Sequence, residues 1–112
     1  KAIIPNIFRA QFSSKFREKI VEYALAAQKG KRNIYITYAF NLAKGCDCEG
    51  HKMKMVARDA GLFASSDPVA IDTACMDIID KNEGRAVYGG RDALDYAEKI
   101  GLGSIKYELI TI

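Results

Sequence analysis

Cys46-Asp47-Cys48, followed by His51, puts two thiols and an imidazole into one short stretch beside Gly45 and Gly50. Thiolates and imidazoles are ligands that zinc and iron favour, and glycines let a loop bend its ligands around an ion. A closed structural site needs four protein ligands and a catalytic one three, so Cys46, Cys48 and His51 are at most a three-ligand set. The same residues also read as an ordinary polar loop or as a redox pair of thiols.

A second group of polar residues opens a helix. Ser65-Ser66-Asp67-Pro68 places a capping carboxylate before a proline at the first helical position, where a missing N–H costs nothing. Two hydroxyls at a helix start can hold an anion, but the Asp67 carboxylate takes the cap itself and repels a second negative charge. A hydroxyl-rich or cationic ligand suits Ser65, Ser66 and Asp67 better. Asp72, one turn further on, and Asp59, before the preceding apolar stretch, are the carboxylates that would complete a hard-metal or acid–base site. Cys75 falls in the apolar stripe of the same helix and is expected to pack there as a small hydrophobe.

Elements must position these groups. Ser13-Ser14 reads as the cap of a first helix ending at Gly30, with Phe16, Ile20, Tyr23, Ala24 and Ala27 at helical spacing. Residues 33–42 alternate as a strand with apolar or small residues on both sides, which predicts cover on both faces. Residues 43–58 form the loop that carries the cysteines, residues 60–64 a second strand, and residues 68–81 a helix with Ile71, Ala74, Cys75, Ile78 and Ile79 on one face. A third helix over residues 91–100 is closed by Gly101, and residues 105–112 read as a final edge strand. The expectation is a single α/β domain over residues 1–112 with a small mixed or mostly parallel sheet and helices packed on its faces. Lys1 in place of Met suggests a fragment or a processed product of a longer protein.

Composition narrows the partners. With 112 residues, 49% apolar and 28% charged, the chain has the make-up of one globular domain. Net charge is +8 over residues 1–58 and −5 over residues 59–112. The basic residues are scattered rather than striped with aromatics, so nucleic acid is not the expected partner; the asymmetry reads as two oppositely charged surfaces of one domain or as a contact with a missing neighbour, and it leaves room for an oligomer. There is no apolar run of membrane-spanning length and no signal-peptide pattern, and an odd count of three cysteines does not suit a disulfide framework. A cytoplasmic setting with reduced or metal-bound thiols follows.

Phe40-Asn41, Cys46-Asp47-Cys48, Asp59-Ala60-Gly61, Ala64 to Asp72 and the closing Gly101-Leu102-Gly103 together resemble a known family. The chain looks like the C-terminal part of uncharacterised iron-sulfur-centre proteins, the domain of unknown function family 362. That resemblance implies a ferredoxin-like, cysteine-rich segment upstream as partner, and an iron-sulfur cluster or zinc associated with the Cys-Asp-Cys loop. It carries no reaction. The remaining readings are an enzyme with a carboxylate and serine pocket at the Ser-Ser-Asp-Pro helix start, and a structural portion of a larger redox protein.

Overall fold

The computed structural model describes residues 15–45 and 50–112. Along the chain it builds α1 (Phe16–Gln28), β1 (Tyr35–Ala39), β2 (Gly61–Ser65), α2 (Pro68–Glu83) and α3 (Arg91–Lys99). The expected cap of α1 at Ser13-Ser14 lies outside the described residues. Both glycine stops hold: Gly30 and Gly101 take φ of 75° and 80°, left-handed values that only glycine adopts cheaply.

α2 is the axis of the molecule. Asp67 caps it, Pro68 opens it and Gly84 closes it in a left-handed conformation. Val69 on its first turn packs with Val21 of α1 and Ala97 of α3, while Cys75 and Ile79 further along pack on Ala39 of β1. A helix that meets helices on one side and a sheet on the other must be apolar around most of its circumference, and seven α2 residues are buried. Cys75 is 7% exposed, so the small-hydrophobe reading holds.

β1 and β2 pair antiparallel, with Tyr35 opposite Ser65 and Ala39 opposite Gly61. A parallel component does not form among the described residues, and none of the described residues between the two strands is helical. The connection instead folds back on itself, with Ala43 bridging Met55 and the Val56 N–H donating to the Leu42 carbonyl.

Three further expectations are corrected. β1 is not covered on both faces: α2 packs on the side of Ala39, whereas Ile36 and Tyr38 remain 69% and 71% exposed, as does Leu62 opposite Tyr38. The inward stripe of α1 centres on Val21 rather than on Ile20 and Tyr23, which stay exposed, because α1 packs against α3 instead of the sheet. Residues 105–112 form no strand. Their start is tied down to helices: Ile105 N–H donates to Glu98 of α3 and the Tyr107 hydroxyl to Asp77 of α2.

Candidate functional site

At the start of α2, Asp67 makes every contact a capping carboxylate can make, and one more. Its Oδ1 accepts from the N–H groups of Val69 and Ala70 at 2.8 and 3.0 Å. Its Oδ2 accepts from the Ser104 N–H at 2.9 Å, although Ser104 lies 37 residues away in sequence. The Ser65 hydroxyl accepts the Asp67 N–H at 2.9 Å and so fixes the turn before the cap. Ser104 is held from the far side as well, its hydroxyl donating to Glu98 Oε1 at 2.9 Å. Gly103 lies so close that a Cβ there would fall 2.1 Å from Asp67 Oδ1. The Ser-Ser-Asp-Pro motif and the Gly-Leu-Gly turn are therefore two halves of one clamp.

Ser66 is exposed on the rim of a cleft of about 510 Å³. Gln28, Lys29, Lys31, Asn33 and Tyr35 form its polar side, and Leu25, Ile100 and Leu102 line it with apolar surface. There the Asn33 amide donates to the Tyr35 hydroxyl, which in turn donates to Gln28. These residues escape a sequence reading because they come from the end of one helix and the start of a strand, without a motif. Asp72 is an exposed residue further along α2, yet loss of solvent around its carboxyl pushes its pKa up. Burial, seconded by Asp72, pushes the Cys75 thiol up as well.

Asp59 sits elsewhere. Its Oδ1 accepts the Asn41 N–H at 2.8 Å, holding a residue whose φ of 53° needs a fixed turn just beyond β1. That is the Ala39–Gly61 end of the strand pair, whereas Ser65, Ser66 and Asp67 lie at the Tyr35 end. The intervening strand, about 3.3 Å per residue, separates Asp59 from them.

Cys46 and Cys48 lie outside the described residues, so only the flanks of their loop are placed. The stem leaves β1 at the Asn41 and Asp59 end. It is closed by the Ala43–Met55 bridge and by the Lys44 N–H donating to the Lys54 carbonyl at 3.1 Å. The Tyr88 hydroxyl donates to the Ala43 carbonyl at 3.0 Å, and Arg85 Nη2 to the Val56 carbonyl at 2.9 Å, which pins the stem near the end of α2. Gly45 and Gly50 on either side take φ of 110° and 68°, and His51 is exposed. Among the described residues, no three His, Cys, Asp or Glu side chains gather to hold a metal ion, and no helix is long and apolar enough to cross a membrane.

The sequence profile of a domain of unknown function (DUF362) matches residues 2–77. No curated protein and no solved structure matches the chain.

Proposed function

Because the chain belongs to the DUF362 family, its profile covering more than half the length, we propose that the Cys46-Asp47-Cys48 loop, with His51, binds a soft metal ion or an iron-sulfur cluster. The observation that carries this reading is the stem. The Ala43–Met55 bridge and the Tyr88 hydroxyl tether the two ends of the stretch of sequence that carries the two thiols and the imidazole. The donor set fits the chemistry: two thiolates and one imidazole match three positions of a zinc or iron coordination sphere. The remaining position falls to a ligand from a partner, for which a cysteine-rich, ferredoxin-like segment of the longer protein is the candidate. Reduced thiols suit a cytoplasmic protein.

When bound, the metal or cluster supplies Lewis acidity or an electron. The chain's own contribution is to supply deprotonated ligands and hold their spacing. Elemental analysis of the purified protein, after loading with Zn²⁺ or with iron and sulfide, tests the reading. The expected result is about one metal site per chain in wild type and its loss in Cys46→Ser/Cys48→Ser. Equal, negligible zinc and iron in both proteins overturns it.

A second reading is favoured by the cleft beside Ser66, whose lysines and hydroxyls suit a small polar ligand. In that reading the serines Ser65 and Ser66 orient substrate, Ser66 from the rim of the cleft, and Asp67, Asp72 and Asp59 serve as acid, base or hard-metal ligands, although Asp59 lies at the other end of β2.

A further inference from the structure

The cleft beside Ser66 is rich in hydrogen-bond donors, and its lining holds two cations and no carboxylate. Lys31 uses one of its three N–H groups on the Ala27 carbonyl at the end of α1 and keeps two. Neither Lys29 nor Lys31 pairs with an acidic side chain among the described residues. The amides add to the donors. Asn33 donates to the Tyr35 hydroxyl, which donates to the side-chain oxygen of Gln28, so the groups left over are a second Asn33 N–H and the amide nitrogen of Gln28.

The carboxylates closest in sequence to the lining are engaged elsewhere. Asp67 does not line the cleft, and its oxygens accept N–H groups from Val69, Ala70 and Ser104. Its charge was the ground for expecting a cationic ligand, and three N–H donors compensate that charge before any ligand arrives. Glu98 accepts from the Ser104 hydroxyl and the Ile105 N–H. Leu25, Ile100 and Leu102 then give the cleft half-buried apolar surface beside its polar groups.

We infer that this cleft takes a small organic anion, a carboxylate head on a short apolar body. Lys29, Lys31 and the two amides hold the head, while Leu25, Ile100 and Leu102 cover the body. A phosphate head fits less well, because the N–H groups at the start of α2 that would cradle it already serve Asp67. A volume of about 510 Å³ is ample for such a molecule. The inference rests on reading the Ser66 cleft as a ligand site and is independent of the metal reading, because the cleft and the Cys-Asp-Cys loop share no residue.

Amide spectra of the isotopically labelled chain, titrated separately with hexanoate, acetate, hexylammonium, glycerol and inorganic phosphate, test it. Hexanoate is expected to shift the amides of residues 28–31, 33, 66 and 100–102. It should bind about ten-fold more tightly than acetate or phosphate, since its added methylenes leave water in the cleft. Hexylammonium is expected to leave those amides in place. In Lys29→Gln/Lys31→Gln, whose altered side chains are exposed and outside the core, hexanoate should bind about ten-fold more weakly with the rest of the spectrum kept. Undiminished binding by that variant overturns the inference, as does acetate or phosphate binding as tightly as hexanoate. Hexylammonium or glycerol acting on these amides as tightly as hexanoate, or in its place, overturns the anionic class and leaves the cleft a site for another ligand. No shift with any probe overturns both the inference and the reading of the cleft on which it rests.

Discussion

Asp67 joins two distant parts of the chain with one carboxylate, and its oxygens divide the work. Oδ1 satisfies the first N–H groups of α2, and Oδ2 holds the Ser104 N–H. Asp67→Ala is expected to cost about 2 kcal/mol in urea unfolding, since a lost helix cap costs about 1 kcal/mol and the Ser104 N–H loses its partner as well. Gly103→Ala should cost a similar amount for a different reason, because its Cβ would meet Asp67 Oδ1 at 2.1 Å. The two changes must then be non-additive: with the carboxylate gone the alanine has room, and the second substitution costs less than it does alone. Strict additivity would show that the two groups do not touch in solution. At this scale the cap was legible, because Asp before Pro has one favoured meaning. Its second bond was not, since nothing local to Asp67 points to Ser104. Gly103 was legible only as part of the closing Gly101-Leu102-Gly103, because the reason for a missing side chain lies across the fold.

Elements were easier to read when their signals were local. Asp67, Pro68 and Gly84 delimit α2 through short-range chemistry, and the structure places that helix at Pro68–Glu83. The final strand failed because alternation in residues 105–112 says nothing of the bonds that tie the segment to α2 and α3. α2 and α3 are themselves linked by Arg91, which pairs with Asp77 and Asp80 at 2.8 Å each. The hydrogen bond from Arg91, aided by the Val87 N–H and opposed by desolvation, holds the Asp80 carboxyl below its usual range. A lowered carboxylate pKa stabilises the fold fully above the ordinary aspartate value of about 3.9, and that contribution is lost as pH falls through the lower, folded value. Arg91→Ala should therefore be less stable than wild type by no more than about 1 kcal/mol at pH 7, since Arg91 is partly exposed. The difference should shrink toward zero in the acid. Urea titrations at neutral pH and near pH 2.5 decide this, and a gap that persists at low pH would mean that Arg91 acts by packing instead of charge.

On the scale of the whole molecule, the sheet is apolar on two faces and packed on one. Ala39 is 2% exposed against Cys75 and Ile79, while Ile34, Ile36, Tyr38 and Leu62 stand 66–78% exposed on the other side. The alternation of residues 33–42 announced two apolar faces. It could not announce which of them this chain covers, because cover depends on how many helices pack across the sheet, and α1 meets it at the Gln28–Tyr35 hydrogen bond without packing across it. Two strands alone are a marginal sheet, so the stability of this one rests on the α2 side. That asymmetry has a measurable form. Ile79→Ala, which removes buried side chain from between α2 and β1, should cost about 3 kcal/mol. Ile36→Thr and Leu62→Thr should each stay within about 0.5 kcal/mol, since neither side chain gives up buried surface. Denaturant midpoints over a range of protein concentrations separate the cases. A cost above 2 kcal/mol for Ile36→Thr, constant with dilution, would mean that another part of the chain covers this face. A cost that disappears on dilution would mean that a second copy does.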